Sequence, residues 1–126
     1  MASPADGRFT DTHEWHRIDG DTVTIGITKF AVDELTDITF VELPEEGDDI
    51  AAGESFGEIE SVKATSELYA AVSGKVVAVN SDAIDNPAAI NEDPFGAGWL
   101  VKLQVADTSP LDALMDAATY DAKYVV

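Results

Sequence analysis

A chain of 126 residues with 45% hydrophobic content is long enough for one compact domain with its own core. Its 25 acidic residues against 7 basic ones give a net charge of −18, which repels phosphate backbones and anionic headgroups and so excludes nucleic acid and membrane surfaces as partners. The absence of cysteine excludes disulfides, a thiol nucleophile and a cysteine-ligated metal, so any redox chemistry has to ride on an attached or bound group. The acidity itself fits two readings that are compatible: tolerance of a saline cytoplasm, and steering toward basic patches on partners, a rate effect that salt screens.

Residues 1–8 are small, polar and proline-containing, and are expected to form a flexible tail ahead of a single domain over 9–126. Residues 22–28 alternate Val23, Ile25 and Ile27 with Thr22, Thr24 and Gly26, the period of two of a half-buried strand. Thr28 is placed to cap a short helix running through Leu35, and 38–43 reads as a strand stopped by Pro44 and an acidic turn over 45–48. Strands over 54–61 and 68–72 flank Lys63, and 75–80 continues beyond a Ser73-Gly74 turn, so the region reads as successive hairpins with Lys63 at one tip.

Trp99, Val101, Leu103 and Val105 alternate with Leu100, Lys102 and Gln104, giving a further strand with one apolar face. Ser109-Pro110-Leu111-Asp112 offers an N-cap, a proline at the first helical position and an acid at the third, the start of a C-terminal helix. The elements predict a mainly β fold, a sandwich or flattened barrel with short helices. No apolar run approaches a membrane span, and the first fifteen residues lack the apolar centre of a secretory signal, so an intracellular protein is expected. The missing Arg-rich leader points to a cytoplasm of bacterial or archaeal type, or to the mitochondrial matrix if a leader was removed.

His13 and His16 flank Trp15, but no cysteine or third histidine completes a ligand set beside them and no nucleophile accompanies them; they read as structural, and no metal site is expected. Lys63 is different. A lysine taken at random is a solvated surface group, but this one lies within Glu60-Ser61-Val62-Lys63-Ala64, between strand-like runs. There its flexible four-carbon stem presents an amine that a modifying enzyme could reach.

Around that segment, Thr12-His13-Glu14-Trp15, Ile25-Gly26-Ile27-Thr28, Val41-Glu42-Leu43-Pro44 and Asn91-Glu92-Asp93-Pro94-Phe95-Gly96-Ala97-Gly98-Trp99-Leu100 resemble the glycine cleavage system H proteins over roughly residues 9–124. The resemblance implies a lipoyl/biotinyl-type barrel-sandwich hybrid. It also implies that a lipoylating enzyme joins lipoic acid to Lys63 through an amide, with Glu60, Ser61, Val62 and Ala64 as recognition context. Biotin acceptors usually flank the lysine with methionine, whereas Val62 and Ala64 stand here. Lipoyl domains of 2-oxoacid dehydrogenases usually carry aspartate before the lysine and lack the Thr12-to-Trp15 entry and the helical tail.

The implied role is a non-catalytic shuttle. It carries the aminomethyl group of glycine from the pyridoxal-phosphate glycine decarboxylase (P protein) to the aminomethyltransferase (T protein), and dihydrolipoamide dehydrogenase (L protein) reoxidises the arm. The family's cleft residues fall on Thr12, Glu14 and Glu67, a hydroxyl and two acids suited to a cationic amine. Two departures stand out, because the resemblance places proline at Ala71 and glycine at Thr36. Competing readings are a lipoyl relay that donates to other acceptors, and an acidic interaction domain that is never lipoylated.

Overall fold

The computed structural model describes residues 4–124; the first three residues of the expected tail and the last two of the expected domain lie outside the described residues. The strands are β1 (Gly7–Phe9), β2 (Glu14–Asp19), β3 (Thr22–Ile27), β4 (Ile38–Glu42), β5 (Asp49–Ile50), β6 (Ser55–Ser61), β7 (Thr65–Tyr69), β8 (Gly74–Val79) and β9 (Val101–Gln104). The helices are short: α1 (Lys29–Leu35), α2 (Ser81–Asp85), α3 (Ala88–Glu92) and α4 (Ala117–Lys123), with a 3-10 turn at Ser109–Ala113.

The strands form two antiparallel sheets, one of six strands in the order β1-β2-β3-β9-β8-β5 and one of three in the order β4-β6-β7. The expected mainly β sandwich with a C-terminal helix is therefore what the chain adopts. A single apolar cluster fills the space between the sheets. β3 contributes Val23, Ile25 and Ile27, β9 contributes Val101 and Leu103, and the opposite sheet contributes Val41, Ile59 and Leu68. The period-two alternation of β3 and β9 thus maps onto one buried face each. Leu100 is buried as well, against its expected outward position, because it precedes the strand and its N–H donates to the Ile25 carbonyl at 2.9 Å.

Thr28 caps α1 as its position predicts, its hydroxyl accepting from the Ala31 N–H at 3.2 Å. The helix ends at Thr36, which takes φ 64° and ψ −138°, a region close to glycine-only backbone. Asn91 locks that turn, its Oδ1 accepting from the Ile38 N–H at 3.0 Å and its Nδ2 donating to the Thr36 carbonyl at 2.7 Å. A β-branched residue here replaces the glycine that the family resemblance implies, and the strain is local.

Several expectations are corrected. The first strand begins at Gly7, two residues inside the expected tail, because Phe9 is fully buried and exchanges backbone hydrogen bonds with Met115 at 2.9 and 3.1 Å. The strand after Lys63 is Thr65–Tyr69 rather than 68–72, and it does not form a hairpin with β8. The segment around Ser73-Gly74 crosses from one sheet to the other instead. Ser109 opens only a 3-10 turn with no side-chain cap, and the terminal helix starts later, where Asp116 Oδ1 accepts from the Thr119 N–H at 2.8 Å.

Trp15 and Gly26 are directly paired across β2 and β3, and a Cβ at Gly26 would come within 2.6 Å of the indole ring. The indole covers that glycine, donates from Nε1 to the Pro94 carbonyl at 2.9 Å, and carries the Arg17 guanidinium 4.9 Å above it. Sheet, tryptophan and the 93–99 loop are held together by these contacts. In the same cluster as Trp15, Tyr120 of α4 stacks on Phe9 at 4.9 Å and shares its hydroxyl with Thr28 and His13, each at 2.7 Å.

Gly26→Ala is expected to destabilise the fold by about 2–3 kcal/mol, lowering the thermal midpoint on the order of 10 °C, because the ring has no free direction to move. Thr36→Gly is expected to raise stability by about 1 kcal/mol by releasing the positive-φ strain. Thermal and denaturant unfolding of both variants against the parent check these two directions.

Candidate functional site

Lys63 sits in the three-residue connection between β6 and β7, which are paired from Glu60–Thr65 back to Gly57–Leu68 and, after a bulge, to Ser55–Tyr69. Ser61 shapes this connection: its Oγ accepts from the Lys63 N–H at 3.1 Å and the Ala64 N–H at 3.0 Å, and its own N–H donates to the Ala64 carbonyl at 2.8 Å. The Val62 N–H is anchored to the Asp37 carbonyl at 3.1 Å. The loop backbone is thus tied by local bonds while its side chains point outward, Val62 being 70% exposed and Lys63 exposed beside it. Among the described residues Lys63 makes no ion pair, so its amine has no carboxylate to leave before reacting.

At the far end of β7 a cleft of about 600 Å³ is lined by Thr10, Thr12, Ala52, Gly53, Tyr69, Ala70 and Ala71. Beneath it lies Glu14, only 1% exposed. Its Oε1 accepts from Thr10 Oγ1 at 2.7 Å and, in a very short contact, from Thr12 Oγ1, while the Tyr69 N–H also reaches the carboxylate. Burial pushes the Glu14 carboxyl above the ordinary carboxylate range, and the bonds from Thr12, Thr10 and the Tyr69 N–H pull against that rise. A buried carboxylate under a mainly apolar cleft is a site for a ligand with an apolar body and a cationic end.

The structure brings Thr12 and Glu14 together as a pair. Glu67 stands apart: it is exposed on β7 and lines a neighbouring groove of about 300 Å³ with Glu42, Ser55, Phe56, Gly57 and Glu58. Its link to the cleft runs through Tyr69, whose hydroxyl donates to Glu67 Oε2 at 2.7 Å. Thr10 and Tyr69 are site residues that the sequence does not reveal. Thr10 is a lone hydroxyl brought over Glu14 by the turn in which the His13 N–H donates to the Thr10 carbonyl at 3.1 Å. Glu60 is exposed, opposite Phe40 and Thr65 in the ladders.

Three comparisons with known proteins bear on this arrangement. The family model described as glycine cleavage H-protein matches residues 7–125. This chain belongs to the glycine cleavage H-protein family. It is 58% identical to the glycine cleavage system H protein of Parvibaculum lavamentivorans over 116 residues, spanning 92% of this chain and 93% of that one. It is 52% identical to a probable glycine cleavage system H protein of Haloarcula marismortui, spanning 93% and 92% of the two chains. A solved H-protein structure, from Mycobacterium marinum, superposes with a TM-score of 0.89 at 43% identity and covers 98% of this chain and 100% of that one. Membership in the H-protein family carries the role of lipoyl carrier in the glycine cleavage system. The chain's own geometry is compatible with a lipoyl group, since it offers an exposed unpaired amine on an ordered turn and a separate cleft with apolar walls.

His16 is fully buried behind this cleft, and its Nε2 accepts from the Ala71 N–H at 3.1 Å. A proline at position 71, as the family resemblance implies, has no N–H to give; here Ala71 and His16 are matched. Nε2 must be unprotonated to accept, which puts the proton on Nδ1, a buried atom with no partner among the described residues. Burial lowers the His16 pKa from 6.5 to about 4. Because the folded value lies below the unfolded one, stability is complete above pH 6.5 and is lost as pH falls toward 4. Unfolding at pH 7 and pH 5 is expected to show about 2 kcal/mol less stability at the lower pH from this group. A His16→Gln variant, which still accepts from Ala71, is expected to lose that part of the pH dependence.

Proposed function

We propose that Lys63 carries lipoic acid in amide linkage, and that the protein shuttles the aminomethyl group of glycine among the enzymes of glycine cleavage. The observation that carries this reading is the pairing of an exposed, unpaired lysine on an ordered hairpin tip with a cleft whose floor is a buried carboxylate. A lipoyl group supplies a dithiolane that accepts the aminomethyl group as its ring disulfide is reduced, and that is restored by oxidation.

The chain's residues do the rest. Ser61 presents the Lys63 amine to the lipoylating enzyme, with Glu60, Val62 and Ala64 as the surface that enzyme meets. Ala52, Ala70 and Ala71 supply apolar walls that exclude water from the cargo, and Thr12 and Glu14 hold its amine, with Glu67 at the mouth. The partners in this reading are the glycine decarboxylase, the aminomethyltransferase and dihydrolipoamide dehydrogenase, in a cytoplasm of the kind found in its bacterial and archaeal relatives. None of the three reactions is assigned to the carrier itself. A relay that only donates lipoyl groups needs Lys63 but has no use for a buried acid beneath a cleft, and that acid favours the shuttle.

Intact mass and peptide mapping after treatment with lipoate and a lipoylating enzyme are expected to give a lipoyl increment confined to Lys63. Lys63→Arg should abolish it. Failure of several lipoylating enzymes on the parent, with a control H protein modified, would favour the acidic interaction domain. The lipoylated parent is then expected to support exchange of labelled bicarbonate into glycine by a glycine decarboxylase; lipoylation without exchange would favour the relay. Glu14→Gln should leave lipoylation intact and shorten the life of the loaded arm about tenfold or more, the loss of a charge-assisted partner in a desolvated site.

A further inference from the structure

The outward face of the three-stranded sheet carries a row of like charges. The register sets Glu42 opposite Glu58 across β4 and β6, and Glu58 opposite Glu67 across β6 and β7. Carboxylates directly opposite one another repel, so Glu67 left to itself would turn away from Glu58 toward bulk water. It is held instead by Tyr69, two residues further along the same face of β7, through the 2.7 Å bond from the phenol to Oε2.

Tyr69 touches both acids of the cleft. Its main-chain N–H reaches the buried Glu14 carboxylate, and its side chain lines the cleft before ending on Glu67. A neutral phenol donating to an ionised carboxylate makes a charge-assisted bond, stronger and more directional than an ordinary one. The bond occupies one oxygen of Glu67 and leaves the other free. The hydrogen bond to Glu67 also raises the phenol's pKa above its ordinary value of 10.0, so it remains a donor at neutral pH.

Distance along the strand adds a second reason. At about 3.3 Å per residue, Glu67 lies roughly 7 Å and Tyr69 roughly 13 Å along β7 from Thr65, where the strand leaves the turn that carries Lys63. A lysine stem with an eight-carbon acyl group extends about 14 Å, so an arm laid along the strand passes Glu67 on its way into the cleft.

We propose that Tyr69 is a positioning residue that fixes Glu67 at the mouth of the cleft, leaving one carboxylate oxygen to take the cationic amine of the cargo while Glu14 holds the floor. This rests on the shuttle reading above.

The test is a double-mutant cycle of Tyr69→Phe and Glu67→Gln on the lipoylated protein, with Glu14→Gln as comparison. Each protein is loaded with glycine and a glycine decarboxylase and then separated from that enzyme. Loss of the cargo to water releases formaldehyde and ammonium and leaves the thiol, so formaldehyde release measures the loaded lifetime. Tyr69→Phe is expected to shorten the lifetime about 3- to 10-fold, with no further loss when added to Glu67→Gln. Lipoylation of Lys63 and the thermal midpoint should stay at parental values.

In the unlipoylated protein, the phenol titration found as the difference between parent and Tyr69→Phe should lie above the ordinary value and return toward it in Glu67→Gln. Lifetimes equal to the parent's in Tyr69→Phe, while Glu14→Gln shortens them, overturn the role of Tyr69 and leave the shuttle standing. Additive effects of the two substitutions overturn it equally. A parent whose loaded lifetime is no longer than that of a lipoylated peptide spanning Lys63 removes the protective cleft, and this inference with it.

Discussion

Where the chain leaves one sheet for the other, it must find acceptors for main-chain donors that no strand ladder can satisfy. The crossing begins after Tyr69, and the N–H of its Ala71 ends on a side chain of β2, the His16 Nε2, while Glu14 of the same strand lies beside Tyr69. β2 is covered on both faces, with Trp15 packed over Gly26 on one side and Glu14 and His16 facing the crossing on the other. His16 is therefore taken out of water to serve a backbone need, and Glu14 is buried beside it. The cleft follows from that requirement, because the crossing strip of Tyr69, Ala70 and Ala71 forms its wall and Glu14 forms its floor.

The burial that this imposes is expensive for ionisable groups, and the two respond differently. His16 stays neutral and gives up a partner at Nδ1, whereas Glu14 draws in the hydroxyls of Thr10 and Thr12 to support its carboxylate. A carboxylate already surrounded by donors, yet held above its ordinary pKa by burial, has an unmet demand for positive charge. The cationic cargo proposed for this site answers that demand.

Much of the fold is legible in the sequence where local pattern and tertiary position agree. Val23, Ile25 and Ile27 alternate because only one face of β3 meets the core, and Thr28 caps a helix within its own turn. β2 is not legible, since Glu-Trp-His-Arg at its start shows no apolar alternation; its polar side chains are buried for a reason that lies 55 residues away at Ala71. The crossing at Ser73-Gly74 imitates a hairpin turn, because which sheet receives β8 is decided by pairing with β9. Ser109-Pro110 likewise imitates a helix start, while the helix docked through Tyr120 begins at Asp116. In the site, Lys63 and its flanking residues are visible as a contiguous segment. Thr10 and Tyr69 act through partners distant in sequence or through main-chain atoms, and neither leaves a motif.

The three strands that carry the hairpin contain Glu42, Glu58, Glu60 and Glu67 and no lysine or arginine. The acylation of Lys63 proposed above would remove the cation at their tip. The hairpin surface would thus be mixed in sign before that modification and purely acidic after it. Encounters after modification should then depend more steeply on ionic strength than the modification itself, which gives the cell's salt a direct hold on how quickly a charged carrier is passed on.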